Sequence, residues 1–150
     1  METDMKEDMP ALAGKSADDD LDAAMGALKK EFEVAVGESL ERCRALVEEA
    51  KEALDDNISH VKEIFGLVHN LKGQGLTFGY PAVTRIGASL CDYIRFVTQP
   101  VTAGHLLVVS THLEALDYVT SREAGEPVQM VWDELVPKLD LLIFRAGSPR

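Results

Sequence analysis

At 150 residues the chain has the length of one domain, enough to bury roughly two thirds of the surface its unfolded form exposes. Its composition is 46% hydrophobic with five Phe, three Tyr and one Trp, and its wealth of Ala, Leu, Val and Glu favours an all-α class over a sheet sandwich. The formal charge of −11, from 15 basic and 26 acidic residues, argues against sequence-independent binding to nucleic acid or to an anionic membrane.

Residues 1–17 are acidic, carry Pro10 and Gly14, and are expected to form a flexible tail. From Asp18 apolar residues recur at helical spacing as Leu21, Met25, Leu28 and Phe32, then Leu40, Cys43, Leu46, Val47, Ala50 and Leu54. This predicts one long helix or two, and for two helices the break is expected at Gly37 rather than Gly26. A helix capped by Asp56 or Asn57 should carry Ile58, Val61, Ile64, Phe65, Val68 and Leu71 on one face and end between Gly75 and Gly79. Pro81 suits a first helical position, and Val83, Ile86, Leu90, Ile94 and Val97 form the next stripe. A further helix uses Leu106, Val109, Leu113, Leu116 and Thr120 and stops near Gly125 and Pro127. The last uses Val128, Val131, Leu135, Leu139 and Leu142, with a kink expected at Pro137. Short loops between amphipathic helices make antiparallel neighbours. The expected architecture is an up-down-up-down antiparallel four-helix bundle over residues 18–145 with an additional N-terminal helical segment, leaving 146–150 as a flexible C-terminus.

Cys43 and Cys91 lack metal-ligand spacing and are expected as buried free thiols. His105 and His112 are seven residues apart, and no Glu-x-x-His pair supports a metal site. No secretory leader or membrane span is expected, so the cytoplasm is the expected compartment.

The most informative stretch is HNLKGQGLTFGY, His69 to Tyr80. On an ideal wheel His69 lies about 40° beyond Phe65, at the shoulder of the buried face. Gly66 at i−3 and Gly73 at i+4 are the two helix neighbours that would flank the imidazole. Helical glycines at 66, 73 and 75 cost on the order of 3 kcal/mol against alanine, and close approach of another macromolecule to His69 is a use that fits this cost. Tight packing of two helices is the competing use. Lys72 at i+3 could bring a cation toward an anion held on the imidazole, its stem snorkelling past Phe65. Residues 58–99 hold four basic and two acidic residues, net +2, which leaves −13 to the other 108. A partner with an acidic pocket would be steered toward this region in a salt-dependent way.

His69-Asn70-Leu71-Lys72-Gly73, with Gly75 and then Thr77-Phe78-Gly79-Tyr80, resembles the H-x-L-K-G-x-[AG] signature of histidine phosphotransfer (HPt) domains. The Thr-Phe-Gly-aromatic ending is similar to that of the phosphotransfer domain of chemotaxis histidine kinases. The resemblance implies a phospho-accepting His69, a phosphoryl-stabilising Lys72 and a Gly73 that admits the partner, with Gly66, Phe65 and Gln74 around them. Gln74 and Leu76 are bulkier than is common in the signature, and Gln74 could donate a hydrogen bond to phosphate or imidazole. The implied function is shuttling of a phosphoryl group between receiver-domain aspartates in a two-component phosphorelay. The implied partners are response-regulator receiver domains and a hybrid histidine kinase. The protein is expected to be a monomer without cofactor of its own, magnesium sitting on the receiver. It would be a phosphoryl carrier rather than an ATP-dependent kinase, since Asn70 stands where sensor kinases usually have an acidic residue. The chemistry agrees with the residue types, because a free imidazole is largely neutral near pH 7 and offers a nucleophilic lone pair. The alternative is a non-catalytic helical adaptor that binds a signalling partner through the His69 face.

Overall fold

A computed structural model describes residues 2–53, 56–121 and 130–146, with side chains from Ala17 onward. It consists of helices throughout: α1 (Glu2–Glu52), α2 (Ile58–Gly75), α3 (Pro81–Arg95), α4 (Ala103–Thr120) and, after a π-helical turn at Val131–Leu135, α5 (Val136–Ala146). Among the described residues there is no strand, and no helix is long and apolar enough to cross a membrane. Helices α1 to α4 pack in cyclic order, α1 on α2, α2 on α3, α3 on α4 and α4 back on α1, while α5 rests on α4 and the rim of α3.

The periodic stripes become the core. Phe32, Val36, Leu40, Cys43, Leu46, Val47 and Ala50 of α1 are buried, as are Val61, Ile64, Val68 and Leu71 of α2. The α3 stripe from Val83 to Val97 and the α4 residues Leu106, Val109, Leu113 and Leu116 are buried against them. Cys43 and Cys91 are both buried free thiols, and burial pushes the Cys43 thiol up to about 12. Neither cysteine presents a thiolate for chemistry.

Four expectations need correction. Of the two alternatives for the first stripe the structure shows one long helix, continuous through Gly37, but its backbone is already helical from Glu2 rather than from Asp18. Its 51 residues span about 77 Å at 1.5 Å per residue, against about 27 Å for an 18-residue neighbour. The stripe therefore runs past the bundle, and Leu21, Met25 and Leu28 are exposed, with the core beginning at Phe32. Asn57 occupies the N-cap position of α2 without capping it. Its buried amide instead donates to Ala50 O at 3.2 Å and Val101 O at 3.3 Å, tying the end of α1 to the strand of chain entering α4. Last, Pro137 is absorbed without ending the helix. The turn before it widens to a π-helical one, Val136 N–H bonding Val131 O, which relieves the clash a proline makes with the preceding turn. The extra residue moves the buried position from the expected Leu135 to Val136, alongside Val131 and Leu139. Leu54, Gly125, Pro127, Val128 and residues 147–150 lie outside the described residues.

Helix α4 starts with a capping box: Thr102 accepts from His105 N–H, and His105 Nδ1 accepts from Thr102 N–H. His112, seven residues on, is fully buried and its Nδ1 lies 2.8 Å from Val108 O. These two histidines thus serve a cap and a core, and among the described residues no group of three or more His, Cys, Asp or Glu could hold a metal ion.

Candidate functional site

Helix α2 carries its apolar residues at helical spacing into the core, which leaves the arc from His69 to Gly66 and Gly73 facing outward. His69 is exposed, and its imidazole stacks on the half-buried Phe65 ring with centroids 5.9 Å apart and planes 10° from parallel. A stacked ring has fewer orientations open to it, so one edge of the imidazole is held toward solvent. Beside it the surface is bare: a Cβ added at Gly66 or at Gly73 would meet nothing within 4 Å. Among the described residues neither glycine packs against another part of the chain.

The end of α2 is built differently. A Cβ at Gly75 would lie 2.9 Å from Thr84 Oγ1, 2.9 Å from Tyr80 O and 3.0 Å from Val83 Cβ. Gly75 is thus where α2 meets the start of α3. The chain then turns through Gly79, whose φ of 86° suits glycine, with Tyr80 N–H bonding Gly75 O at 2.8 Å. Pro81 opens α3 at its first position. Phe78 and Tyr80 anchor this turn on α1: Phe32 stacks on Phe78 at 5.1 Å and lies 5.8 Å from the Tyr80 ring. Tyr80 Oη donates to Glu33 at 2.8 Å, and burial together with that bond pushes the phenol up to about 12.

Lys72 is half-buried on the α3 side of α2, and among the described residues its ammonium has no ion-pair partner. Gln74 is exposed, as is Leu76. The structure therefore brings His69, Phe65, Gly66 and Gly73 together on one side of α2, with Lys72 at its inner border, while Gln74 lies exposed about 140° around the helix from His69. Two residues absent from the sequence reading act on Lys72, Thr84 and Gly87 of α3. Thr84 Oγ1 donates to Lys72 O at 2.9 Å and accepts from Leu76 N–H at 3.0 Å. Gly87 is a buried glycine inside the apolar stripe of α3, and that position was the available signal. An apolar cleft next to Phe65 is lined by Ile58, Val61, Ile94 and Val97, with Lys62 and Arg95 beside them.

The Hpt domain family model matches residues 34–118, more than half of the chain, and the chain belongs to this family. The matched segment runs from the second half of α1 to the end of α4 and includes the whole His69 face. No curated protein and no solved structure matches the chain. At the level of the family this supports a phosphotransfer role in a phosphorelay, with receiver domains as partners.

Proposed function

We propose that this protein is a histidine-containing phosphotransfer protein that carries a phosphoryl group on His69 between receiver-domain aspartates. In the first half-reaction the outward ring nitrogen of His69 attacks the phosphorus of a phospho-aspartate. An N–P bond forms as the P–O bond to the carboxylate breaks, and the second receiver reverses the step. Such transfer needs alignment and charge stabilisation more than covalent assistance. Lys72 supplies positive charge near the phosphoryl oxygens, and Gln74 a hydrogen-bond donor at the rim. Gly66 and Gly73 let the receiver backbone approach the imidazole. The cleft beside Phe65 takes an apolar part of the receiver surface, while Lys62 and Arg95 face its acidic pocket.

The observation that carries this reading is the pairing of an exposed, stacked His69 with two glycines whose missing side chains leave open space among the described residues. In this reading α1 to α4 alternate in direction as an up-down-up-down bundle, the protein works in the cytoplasm as a carrier, and a hybrid histidine kinase stands upstream. Magnesium belongs to the receiver.

Incubation with a phosphorylated receiver domain should label the protein with an acid-labile, base-stable phosphate. His69→Gln should abolish the label. Labelling that survives this change defeats the assignment, and a wild-type protein that binds receivers without accepting label would favour an adaptor.

A further inference from the structure

One residue of the proposed site, Lys72, lies in the close contact between α2 and α3. A Cβ built on Gly87 would lie 3.1 Å from Lys72 Cβ, 3.5 Å from its Cα and 3.6 Å from its Cγ. One turn earlier on α3, the Thr84 hydroxyl holds the main chain of the same residue at 2.9 Å and the Leu76 N–H at 3.0 Å. One contact is steric and the other polar, and they come from positions i and i+3 on one face of α3. A freely exposed lysine stem has many rotamers, and ordering it costs conformational entropy. Here the root of the stem already lies against the α3 backbone, so that part of the ordering is complete when the chain folds.

We propose that Gly87 and Thr84 are positioning residues for phosphoryl transfer. They fix the main chain and the first carbons of Lys72, so that only the outer bonds of its side chain remain to be ordered around a phosphoryl group on His69. The inference rests on His69 being the phosphoryl acceptor. Its physical basis is preorganisation: a charge set in place before the reaction needs no reorganisation during it. A methyl group at position 87 forces Lys72 or the seam to yield by a few tenths of an ångström. Misplacement on the order of 1 Å costs roughly 100-fold in rate, so a loss on the order of 3- to 10-fold is expected from this smaller shift.

The test is single-turnover transfer from a phosphorylated receiver to the wild type, Gly87→Ala, Lys72→Ala and the double variant. Alanine at position 72 keeps its Cβ, so crowding at the seam persists while the charge is gone. Gly87→Ala should lower the maximal transfer rate without changing the receiver concentration that half-saturates it, and should cause no further slowing in the Lys72→Ala background. Thr84→Val should behave like Gly87→Ala, and Thr84→Ser should keep the wild-type rate. This second pair answers the question if Gly87→Ala does not fold. Equal slowing in both backgrounds would mean that the seam acts through helix spacing, and an unchanged rate in Gly87→Ala and Thr84→Val would mean that it does not act on transfer. Either result overturns the proposal. A readout free of phosphate is side-chain methylene relaxation by NMR. The β and γ carbons of Lys72 should be ordered relative to those of the exposed Lys62, and equal mobility contradicts the clamp. If the wild type accepts no phosphoryl group the phosphorelay reading fails, and the relaxation result still decides whether Lys72 is held.

Discussion

The outer face of α2 and the seam between α2 and α3 each hold two glycines, and the same residue does opposite things in them. At Gly66 and Gly73 an added Cβ would meet open space, whereas at Gly75 and Gly87 it would meet Thr84, Tyr80 and Lys72 within about 3 Å. A glycine inside a helix costs roughly 1 kcal/mol against alanine wherever it stands. At the seam that cost is offset by the close packing it allows, but on the outer face no contact among the described residues offsets it. Glycine kept there without an internal partner points to a partner outside. Of the two explanations offered by the sequence, packing is seen at Gly75, and access is the proposal for Gly66 and Gly73.

The largest break in this comparison comes from Gly75→Ala. Its methyl would sit 2.9 Å from a backbone oxygen and from Thr84 Oγ1, and overpacking of this kind costs about 1–3 kcal/mol. Denaturant unfolding should show the loss, and undiminished stability would mean that the seam is looser than described.

A second contrast sets a buried imidazole against the exposed one. His112 is fully buried, burial lowers its pKa, and among the described residues its Nε2 has no hydrogen-bond partner. Arg85 of α3 and Asp140 of α5, themselves paired at 2.9 Å, act on it with opposite sign. Because the folded pKa lies below the unfolded value of about 6.5, the unfolded chain binds more protons between the two. Stability is therefore full above about pH 6.5 and falls as pH drops toward the folded pKa, by at most about 1.4 kcal/mol per pH unit for one group. His105, lowered by burial as well, contributes in the same direction. Unfolding measured at pH 7.5 and 5.5 should show the decline, and His112→Leu should shrink it to the His105 share. A His112→Leu protein with the wild-type slope would contradict the assignment.

The smallest effect, of opposite sign to the first, is expected at Gly66→Ala. With nothing within 4 Å of the new methyl, the fold should gain up to about 1 kcal/mol from helix propensity alone. A loss of stability there would erase the distinction between face and seam.

Much of this was legible in the sequence, because period-3.6 stripes report burial directly. The α3 stripe is buried throughout, the α2 and α4 stripes are buried except for the half-buried Ile58, Phe65 and Thr120, and Pro81 and Gly79 mark the turn between α2 and α3. The His69 face was legible for the same reason, since wheel geometry sets Gly66 and Gly73 beside the imidazole. What escaped depended on other elements. The exposure of Leu21, Met25 and Leu28 follows from neighbouring helices being shorter than α1, which no local pattern records. The shift from Leu135 to Val136 follows from the π-helical turn ahead of Pro137. Asn57 reads as a cap until its amide is seen spanning Ala50 and Val101. Thr84 and Gly87 act across a helix contact, and their partner Lys72 is 12 and 15 residues away in the chain.

The central claim is that the outer face of α2 is bare so that another protein can reach His69. The direct test measures transfer from one phosphorylated receiver to the wild type and to Gly73→Leu, with unfolding free energies determined on the same samples. The account predicts transfer slowed at least about tenfold, since blocked approach removes a near-attack geometry, with stability equal to or above the wild type. An unchanged transfer rate, or slowing accompanied by a matching loss of stability, would contradict it.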